Sequence, residues 1–286
     1  MLQNRATLKQ IRFHLLGKLR QIYAENESES IARLILEHIG YPLSLILRDP
    51  DQVPASPAHA QINEIVAEIH TGKPIQYILG YTHFCDLKIK VDKNVLIPRP
   101  ETEELVEEIK ARVTRPIQKI IDLGTGSGCI ALALKQSFPE SEVWAVDFSK
   151  EALIVAAENE RINKLQVNWR DMDLLNDRSF DQSIRFNLVV SNPPYVMENE
   201  RKLMDRNVTA FEPESALYVE DHDPLIFYRA IASFCSRHLA ENGELWVEIN
   251  EQLGRETALL FTSLGFARVR ILKDIHEKER FIHARR

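Results

Sequence analysis

Apolar residues recur every three or four positions through the first seventy or so residues, then every second position, and finally in solid blocks. Leu8, Ile11, Leu15 and Leu19 make one helical stripe, and Ile31, Leu34, Ile35 and Ile39 make another. Ser28 or Ser30 is placed to cap the second helix, and Gly40-Tyr41-Pro42 to stop it. Pro50, Pro54 and Pro57 mark a connection, and the spacing predicts a further helix over 60–71, ended by Gly72-Lys73-Pro74. These stripes read as the packing faces of a small bundle. From Tyr81 to Leu96 the period drops to two. Phe84, Leu87, Ile89, Val91 and Val95 predict a hairpin with its turn near Asp92-Lys93-Asn94. Pro100, Glu101 and Glu103 then suit the first turn of a new helix.

Beyond that point strands and helices alternate, which predicts an α/β fold with a mostly parallel sheet. Strands are expected at 119–123, 143–146, 165–167, 186–191 and 244–249, with the last two at 266–271 and 279–283. Helices are expected at 129–134 and from near Asp147, Pro224 and Asn250. The expected division is a helical domain at 1–75, a hairpin linker at 76–98 and a catalytic domain at 99–286. A chain of 286 residues has room for one large and one small domain.

Composition narrows the class. A hydrophobic fraction of 44% is that of an ordinary soluble protein. No basic segment leading into an apolar one opens the chain, and no apolar run approaches the ~20 residues of a membrane span. Cys85, Cys129 and Cys235 are scattered, without zinc or disulfide spacing, and the nine histidines show no metal pattern. Reduced thiols, a cytoplasmic setting, no membrane and no metal are therefore expected. The net charge of −6 supplies no global positive field for nucleic acid, although a local groove can still be basic.

Two motifs carry chemistry. Lys119 to Leu123 reads as a buried strand, followed at once by Gly124-Thr125-Gly126-Ser127-Gly128 and an apolar helix. Glycines let backbone approach a ligand, and a helix N-terminus offers unpaired N–H groups. The next strand ends in Asp147, where a carboxylate can grip both hydroxyls of a ribose or cap the following helix. Gly126 to Ala131 also fits the dinucleotide pattern G-x-G-x-x-A, so a nicotinamide-type dehydrogenase is a competing reading at this stage.

The second motif is Asn192-Pro193-Pro194-Tyr195, after the apolar strand 186–191. Two prolines stiffen the turn and remove two backbone donors, leaving carbonyls and one side-chain amide as partners for an NH2 group. Tyr195 adds a flat face for a planar amide or base. Glycine loop, acid and this turn all fall at the carboxyl ends of strands, which share one crevice in a doubly wound sheet. A dehydrogenase has no use for an amide-gripping turn there. A Rossmann-like class I methyltransferase using S-adenosylmethionine (SAM) on an amino nitrogen does.

With both motifs placed, the chain closely resembles the HemK/PrmC family, the protein-glutamine N5-methyltransferases that modify peptide chain release factors. The resemblance covers nearly the whole chain. It rests on Gln76 to Gly80, Val95-Leu96-Ile97-Pro98-Arg99-Pro100-Glu101-Thr102-Glu103, Asp122 to Gly128, Asn192 to Tyr195 and Phe211-Glu212-Pro213. The Asn-Pro-Pro-Tyr turn is shared with adenine-N6 methyltransferases of DNA and RNA, which are the alternative; the 95–103 stretch is narrower. The resemblance implies a seven-stranded sheet, SAM as cofactor and a release factor as protein substrate, docked by the helical domain. A monomer is expected, and the acidic charge balance without any clustered Lys/Arg tract leads to the expectation of no stable nucleic acid.

By this likeness Gly124, Thr125, Gly126, Ser127, Gly128, Asp147, Met172 and Asn192 would hold the cofactor. The adenine contact falls at Asp171 or Met172, where family members often carry Asp-Trp or Asp-Leu. Asn192 and Pro193 would accept the two amide hydrogens of the substrate glutamine, in a Gly-Gly-Gln loop, while Pro194 and Tyr195 wall it in. Asp122 either faces the cofactor or orients the glycine loop. Arg99 either engages a carboxylate or sits in a surface turn, and Glu212 and Glu248 are candidates for supporting positions.

Overall fold

The computed structural model describes residues 6–54, 56–176 and 180–286. The first five residues of the expected helical domain lie outside that set. The chain forms two compact units. One takes in the chain up to Gly80 together with Arg206–Phe211, and the other comprises Tyr81–Asp205 and Glu212–Arg286.

The first unit contains α1 (Leu8–Leu19), α2 (Glu25–His38), α3 (Leu43–Arg48), α4 (Ser56–Ile69) and α5 (Ile75–Leu79). Helix α1 opens on a capping box: Thr7 Oγ1 accepts from the Gln10 N–H while Gln10 Oε1 accepts from the Thr7 N–H. All four stripe residues of α1 are buried. In α2 Ile31 and Ile35 are buried, and Leu36 takes the buried place expected of Leu34. Helix α2 starts before its expected serine caps, because Glu25 and Glu27 already suit a first turn. Ser28 lies inside the helix, donating to the Tyr23 carbonyl. Helix α4 begins at Ser56, so Pro57 falls in its first turn and not in the connection. Short α3 and α5 carried too few periods to be read from the sequence.

The second unit opens with a hairpin, β1 (Tyr81–Phe84) and β2 (Leu87–Lys90). Its turn is Cys85-Asp86 and not Asp92 to Asn94. Phe84 pairs with Leu87, leaving two turn residues, both at positive φ as a tight hairpin turn requires. Asp92 instead builds a local turn, its Oδ1 accepting from the Asn94 N–H. Next come α6 (Pro100–Arg112), β3 (Lys119–Leu123), α7 (Cys129–Ser137), β4 (Glu142–Asp147), α8 (Lys150–Asn163), β5 (Asn168–Asp171) and β6 (Phe186–Ser191). A segment with the two-residue strands β7 (Val196–Met197) and β8 (Tyr218–Val219) follows, interrupted by α9 (Arg206–Phe211) of the first unit. Finally come α10 (Ile226–His238), β9 (Leu239–Glu248), α11 (Gly254–Ser263), β10 (Ala267–Lys273) and β11 (Glu279–Arg285).

Seven strands form one sheet in the order β10-β11-β9-β6-β3-β4-β5. All neighbours are parallel except β11, which runs antiparallel to both β9 and β10. The third strand is 168–171 and not 165–167. Helix α8 ends on Lys164 in a left-handed conformation, and the Glu160 carboxylate takes the Val167 N–H, so pairing with β4 starts at Asn168. This strand is the sheet edge, where polar residues are the rule. Strands β3 and β6, side by side, are followed by chain that departs to opposite sides. Their carboxyl ends, Leu123 and Ser191, are register partners, which puts the topological switch point between the two motifs.

Candidate active site

The carboxyl ends of β3, β4, β5 and β6 border an open crevice of about 1030 Å³, counted with the solvent space at its mouth. Gly124 to Ser127, Asp147, Met172, Asn192, Pro193 and Pro194 all line it, as do Leu96, Pro98, Arg99 and Thr102 from the 95–103 stretch. A second hollow, about 420 Å³ when counted in the same way, adjoins it and is lined by Tyr195, Val196, Met204 and Leu217. Leu96, Arg99, Asn192, Pro193 and Ala216 belong to both walls. The Asn-Pro-Pro-Tyr turn therefore stands at the junction of two spaces.

The glycine loop has the backbone that its composition implies. Gly124, Gly126 and Gly128 all have positive φ. A Cβ added at Gly124 or Gly126 meets no atom within 4 Å, so both face open space, as a cradle for a bulky group must. Gly128 is not on the crevice wall. It caps α7, and a Cβ there would lie 2.7 Å from Trp169 Cη2 and 3.1 Å from Ala156 Cβ. Trp169 is held by an Nε1–H bond to Glu160, 2.8 Å, and cannot easily give way. Gly128→Ala adds left-handed strain of about 1–2 kcal/mol to overpacking of about 1–3 kcal/mol. The expected result is a loss of about 3 kcal/mol, read by urea unfolding. A variant as stable as the parent would refute the close packing.

Asp147 is buried, and each of its oxygens takes one backbone N–H: Oδ2 from Gly126 at 2.8 Å and Oδ1 from Ser149 at 2.9 Å. It thus ties the glycine loop to the start of α8 while lining the crevice. Burial raises its pKa, opposed by these N–H groups and that of Phe148. Asp122 is fully buried and is not on the wall; its Oδ2 accepts from the Thr125 hydroxyl at 2.5 Å. It therefore orients the loop. Met172 lines the crevice and Asp171 does not; Asp171 faces Lys150 at 3.5 Å.

Asn192 donates from Nδ2 to Thr102 Oγ1 at 3.0 Å, and Thr102 donates to Glu248 Oε2 at 2.8 Å. Glu248 Oε1 accepts from the Tyr195 hydroxyl at 2.8 Å. Glu248 is 1% exposed, and burial pushes its pKa up against the pull of those two hydroxyls. Burial, then the Glu248 charge, drives the Tyr195 phenol well above its ordinary value, so it stays a donor. Asn250 Nδ2 also holds the Tyr195 carbonyl at 3.2 Å. Arg99 is no free surface residue. Glu212 accepts from it at 2.6 Å and from the Ile97 N–H at 3.1 Å, fixing the 97–99 segment at the crevice.

Sequence reasoning did not single out Thr102 or Phe148. Thr102 lay inside a motif already noticed, but its partner Glu248 is 146 positions away and no local pattern links them. Phe148 is 56% exposed at the crevice wall, a large apolar ring directly after the strand-end acid. An apolar residue at that place was the available signal.

Comparison with known proteins shows the family. The family model described as PrmC N-terminal domain matches residues 14–80, and that described as Methyltransferase small domain matches residues 100–212. The release factor glutamine methyltransferase of Flavobacterium psychrophilum is 39% identical over 282 residues, covering 96% of this chain and 98% of the relative. That of Bacteroides thetaiotaomicron is 36% identical, covering 98% of this chain and 100% of the relative. The chain belongs to the release factor glutamine methyltransferase family. Solved structures show the fold of class I methyltransferases. A methyltransferase from Pyrococcus furiosus has a TM-score of 0.52 at 16% identity, over 80% of this chain and 98% of that one. The T. thermophilus 16S rRNA N2 G1207 methyltransferase, solved with AdoMet and guanosine, has the same TM-score at 18% identity. That match covers 72% of this chain and 49% of the other. Among the described residues no helix is long and apolar enough to cross a membrane.

Proposed function

We infer that this chain is a SAM-dependent methyltransferase acting on the side-chain amide nitrogen, N5, of a glutamine in peptide chain release factors. The observation that carries the reading is the pair of adjoining spaces that share Asn192 and Pro193. In this reading the larger crevice takes the cofactor, against the open glycines 124 and 126, Ser127, Asp147 and Met172. The smaller hollow takes the acceptor amide between Tyr195 and the turn. SAM supplies an electrophilic methyl group on a sulfonium.

The residues fit a reaction governed by orientation. An amide nitrogen is a poor nucleophile because its lone pair is shared with the carbonyl. It loses a proton readily once alkylated, so no strong base is required before attack. Asn192 Oδ1 and the Pro193 carbonyl each accept one amide hydrogen, aiming the nitrogen along the line between the two spaces. Pro194 and Tyr195 confine the flat group. The net charge of −6 and the names of the relatives both favour a protein acceptor over adenine in nucleic acid. We further propose that the helical residues 1–75 dock the release factor, that the partner complex holds no stable nucleic acid, and that the enzyme acts as a cytoplasmic monomer.

Incubation with methyl-labelled SAM and either a release factor or adenine-rich DNA tests the assignment. Label is expected on the release factor and is expected to vanish when the glutamine of its Gly-Gly-Gln loop is replaced. Label on DNA, or on a release factor lacking that glutamine, would overturn it.

A further inference from the structure

We propose that Thr102, anchored by Glu248, is a positioning residue that decides which end of the Asn192 amide faces the acceptor, taking one of the two Nδ2 hydrogens and so presenting Oδ1. The proposal rests on the reading that Asn192 holds the acceptor amide, and it adds what makes that contact one-directional.

The two ends of an asparagine amide are close in size and opposite in function: the oxygen accepts, the NH2 donates. An acceptor nitrogen that arrives as NH2 has hydrogens to give. Were Asn192 turned over, NH2 would meet NH2, and the hydrogen bond that aims the nitrogen would be lost. Something must therefore hold one rotamer against the other.

The chain of contacts does this by elimination. Two hydroxyl donors and the nearby Arg280 charge favour the ionised form of Glu248 against its burial, and an ionised carboxylate can only accept. Its Oε1 is occupied by the Tyr195 hydroxyl and its Oε2 by Thr102. The single hydroxyl hydrogen of Thr102 is thereby committed, and its oxygen has only lone pairs to offer. At 3.0 Å from Asn192 it can accept but not donate, so it selects Nδ2 and leaves Oδ1 for the crevice. Thr102 is 2% exposed and sits in the first turn of α6, so its position is set by the helix and its surroundings are mostly protein. The same carboxylate holds Tyr195. One buried acid thus sets both polar side chains of the Asn-Pro-Pro-Tyr turn.

The test is a double-mutant cycle on the full chain, with labelled SAM and a release factor as substrates. Thr102→Val keeps the shape and removes the hydroxyl; Thr102→Ser keeps the hydroxyl. Thr102→Val is expected to lower kcat roughly tenfold to a hundredfold, the scale of one oriented hydrogen bond, with SAM affinity by calorimetry essentially unchanged. Thr102→Ser is expected to recover most of that rate. Added to Asn192→Ala, Thr102→Val is expected to cost nothing more, because its route to the reaction is already gone. Two results overturn the proposal while leaving the role of Asn192 intact. One is near-normal kcat for Thr102→Val when Asn192→Ala is severely impaired, and the other is losses that multiply in the double variant. Near-normal turnover by Asn192→Ala would instead remove the underlying reading, and the proposal with it. A fall in melting temperature shared by Thr102→Val and Thr102→Ser, without rescue of kcat, also counts against a positioning role.

Discussion

Asn192→Ala should lose a hundredfold to a thousandfold in kcat, about 2.7–4 kcal/mol of transition-state stabilisation, while binding SAM nearly as well as the parent. The size follows from what the side chain is asked to do. Thr102 takes one Nδ2 hydrogen, which fixes the amide with Oδ1 turned to accept at the crevice. A preorganised acceptor of this kind contributes to the rate because it needs no rearrangement when the amide nitrogen begins to bond to the methyl carbon. Removing it leaves the Pro193 carbonyl, which holds one hydrogen and lets the amide swing about that contact. The cofactor side of the crevice keeps Gly124 to Ser127, Asp147 and Met172, none of which bonds to Asn192 among the described contacts. Single-turnover kinetics with a release factor, alongside calorimetry with SAM, separates the two effects. Near-normal turnover would mean that the turn does not hold the acceptor.

The elements that could be read from the sequence were those with a long local period or a strong block of apolar residues. Strands 119–123 and 186–191 match their expected bounds, since both are buried on two faces and bounded by turn residues. The elements that shifted depend on partners elsewhere. Strand β5 is a polar edge segment, Asn-Trp-Arg-Asp, whose start is set by pairing with Trp144 on β4. The hairpin turn moved to Cys85-Asp86 because pairing between Phe84 and Leu87 outweighs the turn residues at 92–94.

The candidate site divides in the same way. The glycine loop, Asp147 and the Asn-Pro-Pro-Tyr turn are contiguous or sit at strand ends, so their meeting followed from topology alone. The link from Glu248 through Thr102 to Asn192 joins three elements far apart in sequence, and only a folded chain reveals it. Gly128 belongs to the motif but caps and packs instead of facing the crevice, a distinction that spacing does not carry.

Asp122 leads to an expectation about pH with a definite sign. Burial is the main cause that raises its carboxyl from an ordinary 3.8 to about 7; the Thr125 hydroxyl and the Ala131 N–H pull it down and the nearby charge of Asp147 pushes it up. Between about pH 4 and pH 7 the folded protein then carries a proton on Asp122 that the unfolded chain has already released. The native state binds more protons across this window, so the contribution of Asp122 to stability falls as pH rises through it and levels off above. Asn at this position cannot ionise, and its side-chain oxygen can still accept from Thr125. The stability difference between Asp122→Asn and the parent is expected to move in the variant's favour by roughly 4 kcal/mol between pH 4 and pH 8. Its absolute sign at any one pH also depends on whether the new NH2 finds an acceptor in place of the buried Asp122 Oδ1, since the Ala131 N–H beside the carboxylate can only donate. The change with pH is independent of that offset, because the offset involves no titrating group. Urea unfolding of both proteins across the window measures it. Parallel curves would show that Asp122 titrates alike in the folded and unfolded chain, and that the acid beneath the glycine loop is not buried as described. A gap that widens towards neutral pH would show an aspartate held largely neutral under the loop, so that it acts there as a hydrogen-bonding support for Thr125 and leaves Asp147 as the charged group at the crevice.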